Sequence, residues 1–388
     1  MDFALTSEQH STQSQARQFA EQELVPLTSR QGQFPSRLIE RMGELGFLAG
    51  PIDQRYGGTN MDMLSYVLLC EELGRVNSLV RSLLTAHVSL VALSIQEWGN
   101  DEQKRAYLPK LASGEWLGCY ALNEPEAGSD AANLATTATQ EDESYILEGE
   151  KTWITNGLNA RLAVIFASRD RASRQKGICA FLVETDTPGF QCRPMTDLGY
   201  DQSITGHAHI TLTQCRVPAT ALLSKPDTGF TIAGSALDRG RLGEAAGAVG
   251  IGQACLEACI SFVQQRRQSG QRLADFEMIQ AALANMAADV EAARLLTYRA
   301  AWLTDRHQPA SRAASIAKLF ATEAATKAAS ESVLLHGNRG LLNQYPVERY
   351  YRDIKGLQIY EGNNHIQRVL IARDLIGHEE KSGRKRKS

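Results

Sequence analysis

The apolar positions change period twice along the chain. Over Leu38-Ile39-Glu40-Arg41-Met42-Gly43-Glu44-Leu45-Gly46-Phe47 they recur three and four apart, the spacing of one helical face. Gly57-Gly58 interrupts the pattern, and a second helical run is expected over about 61–75. From about 116 the apolar runs shorten. Tyr145-Ile146-Leu147, Leu162-Ala163-Val164-Ile165-Phe166 and Ile178-Cys179-Ala180-Phe181-Leu182-Val183 read as strands, separated by turn formers such as Asp186-Thr187-Pro188-Gly189. His207, His209, Thr211 and Thr213 alternate with Ala208, Ile210 and Leu212, which is period two. Beyond about 231 the helical period returns. Residues 281–330 hold 18 alanines in 50, a composition that favours helix. Ile279, Leu283, Met286, Val290 and Ala293 step by four and three, as a buried bundle face should. Pro309 separates two long helices.

The pattern therefore predicts a mainly α protein with a central β domain. Its parts are an N-terminal helical domain over 1–115, a β domain over 116–227, a helical bundle over 228–377 and a basic, flexible tail over 378–388. Regular βαβ alternation is missing, which argues against a doubly wound sheet.

Composition narrows the class. The 388 residues carry 41 Lys and Arg against 44 Asp and Glu, a formal charge of −3, so a general polyanion coat is not expected. With 43% hydrophobic residues the chain can bury a core, and with 7% aromatics it has little with which to stack single-stranded bases. The seven cysteines are scattered without a C-x-x-C pair, which suggests a reducing compartment rather than a disulfide framework or zinc site. The start, Met1-Asp2-Phe3-Ala4, has no secretion-signal pattern, and no membrane-spanning run of 18 apolar residues is expected.

Gly247, Gly250 and Gly252 run G-x-x-G-x-G inside a helical stretch. That is the wrong order and the wrong context for a dinucleotide fingerprint, so they read as close helix packing. His207 and His209 lack a third ligand nearby and read as a solvated strand face. Two segments hold candidate chemistry. Gly118-Cys119-Tyr120-Ala121-Leu122-Asn123-Glu124-Pro125-Glu126-Ala127-Gly128-Ser129-Asp130 is a turn-rich loop whose Ser129 and backbone amides suit an anion or a polar ring edge. In Ile359-Tyr360-Glu361-Gly362-Asn363-Asn364, Glu361 follows an apolar stretch, and a carboxylate in apolar surroundings can serve as a base near neutral pH.

Together and in this order, five segments closely resemble the acyl-CoA dehydrogenase family: Tyr120 to Asp130, Lys151-Thr152-Trp153-Ile154-Thr155-Asn156-Gly157, Ala236-Leu237-Asp238-Arg239-Gly240-Arg241, Arg266-Arg267-Gln268-Ser269-Gly270 and Tyr360-Glu361-Gly362. The resemblance runs from about Phe3 to Gly377. It implies a β-barrel-like middle domain and a C-terminal four-helix bundle. It also implies FAD held extended between subunits of a homotetramer or homodimer, and an acyl-CoA or acyl carrier protein thioester as substrate. Electrons would pass to an electron-transfer flavoprotein or another acceptor. Tyr120, Leu122, Asn123, Ser129, Trp153, Thr155, Arg266, Gln268, Ser269, Gly337 and Asn363 would contact FAD. Trp153 would pack beside the isoalloxazine, Thr155 would bond near its N5, and Arg266 would pair with the pyrophosphate of a neighbouring subunit's cofactor. Arg81, Ser129, Asp238, Arg241, Tyr360 and Gly362 would contact substrate, and Glu361 would take the α-proton. Some relatives carry the base where this chain has Gly240, which has no side chain to act.

Asn123, Ser269, Asn338 and Asn363 depart from the usual residues at presumed flavin contacts. Arg81 departs most. Simple fatty-acyl dehydrogenases usually have a small or apolar residue there, whereas the Arg81 to His87 run is similar to glutaryl-CoA and polyketide-pathway dehydrogenases. The reading is a short polar or acidic acyl group, with a salt-bridged structural arginine as the other account of Arg81. An ordinary short-chain acyl-CoA dehydrogenase, and a flavoprotein serving only as a binding protein, are the alternatives. A bacterial cytoplasmic location is expected, with the mitochondrial matrix as the other option.

Overall fold

The computed structural model describes residues 4–27, 36–196 and 206–377. The tail at 378–388 lies outside the described residues. The first part is helical: α1 Ser7–Phe19, α2 Ser36–Glu44, α3 Met63–Val76, α4 Ser78–Thr85, α5 Leu93–Trp98 and α6 Asp101–Ser113, with a π-helical segment Ala86–Ala92 joining α4 to α5. Short polar side chains start these helices by satisfying free N–H groups. Thr6 and Gln9 close a capping box on α1, Asp62 accepts from Ser65 N on α3, Asn77 caps α4, and Asn100 with Gln103 closes a second box on α6.

The middle part is β1 Gly118–Ala121, β2 Thr137–Glu141, β3 Ser144–Ile154, β4 Leu162–Ser168, β5 Ile178–Glu184, β6 Phe190–Pro194 and β7 Ala208–Pro218. Among the described residues these form one seven-stranded sheet in the order β1-β4-β2-β3-β7-β6, with β5 also paired to β4. β1 runs parallel to β4, while β2–β3, β3–β7, β4–β5 and β6–β7 are antiparallel. β4 is buried at every position, which explains its unbroken apolar sequence Leu162 to Ala167, whereas edge strand β6 is exposed beyond Phe190.

The third part is α7 Gly229–Gln265, a hairpin of β8 Arg267–Gln268 and β9 Gln271–Arg272, then α8 Glu277–Asp305, α9 Ser311–His336, α10 Val347–Leu357 and α11 Asn364–Leu375. The alanines are the packing surface of α9, with Ala314, Ala317, Ala321, Ala325 and Ala329 all buried. The expected order of helices, strands and helices is the observed one.

The three glycines act as packing residues. A Cβ built on Gly250 would meet Arg75 N at 2.6 Å and overlap Glu71 O, both backbone atoms of α3, and one on Gly74 would stand 2.7 Å from Gly247 Cα. Helices α3 and α7 therefore touch backbone to backbone. Gly250→Ala is expected to destabilise the protein by about 1–3 kcal/mol, because neither helix can yield by a side-chain rotation. A thermal melt checks this, and an unchanged melting temperature overturns it.

No unbroken run of 18 apolar residues occurs, but two described helices reach the mean hydropathy of a membrane span. Among the described residues, Ser78–Trp98 and Gly229–Gln265 are both long and apolar enough to cross a bilayer. Their most apolar windows are 89% and 61% buried within the protein, the burial of core helices. The residue-by-residue reading missed them because small and polar residues such as Ser82, Ser89 and Gly247 break the run of large apolar side chains without making it hydrophilic.

Candidate active site

Glu361 sits in the turn between α10 and α11. Its φ of +53° is followed by +81° at Gly362, so the chain passes through two left-handed residues, the first of them not glycine. The surrounding structure holds this conformation. Buried Lys318 of α9 donates from Nζ to Gly362 O at 2.9 Å, to Asn364 Oδ1 at 3.0 Å and to Gln358 O at 3.3 Å. Gln367 Nε2 donates to Glu361 O at 3.1 Å and to Gly362 O at 2.8 Å. Asn363 caps α11 by accepting from His365 N and Ile366 N.

The Glu361 carboxylate lies on α7 at Gly240. A Cβ there would stand 2.5 Å from Oε2 and 2.6 Å from Cδ, so the missing side chain makes the space the carboxylate fills. Oε2 is buried and has no hydrogen-bond partner. Burial pushes the Glu361 carboxyl up to about 8, and the negative Glu244 adds to this. Arg241, Arg81 and Lys318 oppose the rise but do not cancel it. The group is thus largely protonated at pH 6 and half ionised near 8, a poised acid–base group.

Arg81, at the other end of the proposed substrate set, is fully buried, and its Nη1 donates to Glu244 of α7. Both accounts of Arg81 therefore meet in one side chain, which is salt-bridged yet leaves Nε and Nη2 unpartnered. Arg241 Nη1 bonds Asp238 Oδ1 at 2.5 Å, while its Nε reaches Glu361 O at 3.5 Å. Asp238 Oδ1 also accepts from Ser311 Oγ at 2.9 Å. The Tyr360 ring packs on Gly356.

The cofactor candidates fall into two groups. Thr152 N donates to Asn123 O at 3.0 Å, so the loop from Leu122 runs beside the end of β3 that carries Trp153 and Thr155. Asn363 Nδ2 donates to Ser129 Oγ at 3.2 Å and ties this loop to the Glu361 turn. The loop is pinned by a buried pair, Lys151 Nζ to Glu124 Oε1 at 2.7 Å, with Glu124 also accepting from Ala135 N and Thr136 N. Trp153 is 47% exposed at a φ of +60°, with the exposed Asn123 and the hydroxyl-bearing Thr155 on the neighbouring backbone. Tyr120 is buried, with its OH unpartnered. A planar ring with polar edges fits this surface, by stacking on Trp153 and bonding to its polar neighbours.

The second group is remote. Arg266 ends α7, Gln268 and Ser269 lie on the exposed hairpin after it, and Gly337 follows α9. Phe262 stacks on His336 with centroids 4.1 Å apart, so Gly337 lies at the same end of the bundle as Arg266. From Gly240 to Arg266 is 26 residues, roughly 39 Å of helix. The fold does not bring these residues to Glu361 within one chain.

His207 corrects the sequence reading. It is buried, not on a solvated face; burial lowers its imidazole to about 4, and its Nε2 lies 3.3 Å from Thr155 Oγ1. His207 precedes β7 and turns under the Trp153–Thr155 corner, so period two did not apply to it. His209 is half-buried on β7. Among the described residues no cluster of three or more His, Cys, Asp or Glu side chains could hold a metal ion, and the seven cysteines are unpaired. Sequence reasoning also missed Glu244 and Lys318. Each had a signal, a lone charge in a run of small or apolar residues, Leu242-Gly243-Glu244-Ala245-Ala246 and Ile316-Ala317-Lys318-Leu319-Phe320.

Comparison with known proteins identifies the family. Family models for the N-terminal, middle and C-terminal domains of acyl-CoA dehydrogenase match residues 6–115, 119–215 and 227–376. A probable acyl-CoA dehydrogenase of Bacillus subtilis, YngJ, is 40% identical over 97% of this chain and 100% of its own. Among solved structures, butyryl-CoA dehydrogenase from Megasphaera elsdenii has a TM-score of 0.94 at 37% identity, covering 97% of this chain and 100% of its own. A glutaryl-CoA dehydrogenase in complex with glutaryl-CoA has a TM-score of 0.94 at 36% identity, covering 99% of each chain. AnaB, a prolyl acyl carrier protein oxidase, has a TM-score of 0.90 at 31% identity, covering 96% of this chain and 100% of its own. The chain belongs to the acyl-CoA dehydrogenase family, FAD-dependent oxidoreductases acting on CH–CH groups.

Proposed function

We propose that this enzyme oxidises a short, polar or acidic acyl thioester, on CoA or on an acyl carrier protein, to the α,β-unsaturated thioester. The observation that carries the reading is the buried, unpartnered Oε2 of Glu361, seated on Gly240 in the turn that Asn363 ties to the Ser129 loop. Glu361 removes the α-proton. Tyr360 and Gly362 hold the turn on either side of it, and Asp238 fixes Arg241 beside its carbonyl. FAD, when bound, supplies the hydride acceptor for the β-carbon. Tyr120, Leu122, Asn123, Ser129, Trp153, Thr155 and Asn363 would hold the flavin ring end. Arg266, Gln268, Ser269 and Gly337 would hold the pyrophosphate end of the cofactor of a second copy, because they lie too far from Glu361 to share its cofactor. That separation supports a homodimer or homotetramer.

Substrate polarity is supported by Arg81 with its unpartnered N–H groups. Among the structural relatives, a glutaryl-CoA dehydrogenase is named for an acidic acyl group and AnaB for a prolyl group on a carrier protein, whereas butyryl-CoA dehydrogenase is named for a plain alkyl one. An electron-transfer flavoprotein is the proposed acceptor. A cytoplasmic location is supported by the Bacillus subtilis relatives. The test is anaerobic titration of the yellow holoenzyme with butyryl-, glutaryl- and hydroxyacyl-thioesters on both carriers. Bleaching near 450 nm by at least one of them is expected on the order of one flavin per site. A flavin that none of them reduces overturns the dehydrogenase reading.

A further inference from the structure

Lys318 is a buried cation in a helix of alanines. It is fully buried on α9, and Ala314, Ala317 and Ala321 of the same helix are buried with it. An ammonium has three N–H donors and no acceptor. All three are directed at the segment that carries Glu361: Gly362 O at 2.9 Å, Asn364 Oδ1 at 3.0 Å and Gln358 O at 3.3 Å. One helical turn further along α9, Thr322 Oγ1 accepts from Asn364 Nδ2 at 3.0 Å. These bonds tie α9 to both sides of two consecutive left-handed residues, Glu361 and Gly362. Each acceptor of Lys318 is neutral. A side-chain amide could bond such oxygens without the desolvation cost of a buried charge, so hydrogen bonding alone does not account for a lysine here.

Charge accounts for it. The charged and titratable groups that face Glu361 are Glu244 and Arg241 on α7, Arg81 on α4, Lys318 on α9 and Tyr120 on β1. Arg81 is paired with Glu244, and Arg241 with Asp238, so each pair is neutral as a unit. Lys318 faces Glu244, Glu361 and Arg241 but bonds only neutral oxygens. With the two arginine pairs balanced, one cation and one acid remain, Lys318 and Glu361. Burial lowers the ammonium to about 8, and Glu244 and Glu361 oppose that fall, so its charge is present over the range in which Glu361 begins to ionise. We propose that Lys318 is a positioning residue for the proton abstraction: it clamps the turn that seats Glu361 on Gly240, and its positive charge, taken up by no other carboxylate, favours the ionised, working form of that base. The proposal rests on Glu361 being the base. Its two parts are separable, because the clamp needs N–H groups and the balance needs charge.

The experiment follows two readouts against pH on the holoenzyme. One is the rate of flavin bleaching by the thioester that reduces the wild type fastest. The other, taken without thioester, is the infrared band of the protonated Glu361 carboxyl, assigned by its loss in Glu361→Gln. Lys318→Gln keeps two N–H donors and removes the charge, and its midpoint in both readouts is expected to rise by roughly 0.5 pH unit or more. Lys318→Met removes charge and donors together. It is expected to show the same rise, with a rate at the high-pH plateau lower by about 10–100-fold. Lys318→Arg keeps the charge in a different shape and is expected to hold the wild-type midpoint while losing rate. A lysine that served only the fold would lower the melting temperature in all three variants without moving the midpoint. An unmoved midpoint in Lys318→Gln overturns the charge role, and an undiminished plateau in Lys318→Met overturns the clamp. Where a neutral variant does not fold, Lys318→Arg decides, since a midpoint that moves with the charge retained also overturns the proposal. Failure of the base reading looks different: Glu361→Gln would turn over normally, while the infrared band still reports whether Lys318 governs that carboxyl.

Discussion

Glu361→Gln is expected to cut flavin reduction by a thioester by about 10²–10⁴-fold or more, the range that a positioned general base contributes. Glutamine keeps the size and hydrogen-bonding edge of the side chain and removes only its ability to take a proton, so thioester binding should persist. Rapid-mixing absorbance of the flavin measures the loss, and full retention of turnover removes Glu361 from the mechanism. The pH profile is a second readout. The base works ionised and its carboxyl is pushed up to about 8, so kcat/KM of the wild type should rise with pH through that region. Stability should move the other way. The folded state keeps the Glu361 proton up to about 8, whereas the unfolded chain releases it near the ordinary value of 4.5. Between those values the native state binds more protons, so this group's contribution to stability is full below 4.5 and is lost as pH rises through about 8. The glutamine variant escapes that loss and should melt higher than the wild type at pH 8, with the difference vanishing near pH 4.5.

Gly240→Ala is the second large effect. The new methyl group would occupy the place of the carboxylate, 2.5 Å from Oε2 and 2.6 Å from Cδ, and the contact is with the end of a side chain that can rotate away. The fold should therefore survive, helped by an intrinsic helix preference of about 1 kcal/mol for alanine over glycine. The base, however, leaves its position. A displacement on the order of 1 Å can cost about 100-fold in rate, so a fall of that size in bleaching is expected with an unchanged or raised melting temperature. Unimpaired bleaching would show that the seat at Gly240 does not position the carboxylate. The Gly250→Ala variant supplies the contrast, because there the added methyl meets backbone and the loss should appear in stability instead.

Much of the fold was legible in the sequence because periodicity reports burial directly. The step of four and three from Ile279 to Ala293 is the inward face of α8, buried from Met286 onward, and the unbroken run Leu162 to Ala167 is a strand buried on both sides. The candidate base was legible too, as a carboxylate in an apolar setting inside a recognisable segment. His207 was not legible. Its neighbours alternate in period two, but it stands one residue outside β7, where the chain turns inward. Glu244 was visible only as a charge among small residues, because its significance depends on Arg81, 163 residues away in sequence.

The sequence by itself determined the three-part architecture, the family and the identity of the chemical groups, because local period, turn formers and short segments encode these within a few residues. Tertiary structure decided what those groups do to one another. It placed the Glu361 carboxylate over the bare backbone of Gly240, where desolvation poises it. It set Arg81 against Glu244 and left their remaining hydrogen-bonding atoms open along α7. It also separated Arg266 from Glu361 by most of a 37-residue helix. Each of these depends on the close approach of distant segments, and close approach alone fixes desolvation, charge pairing and reach.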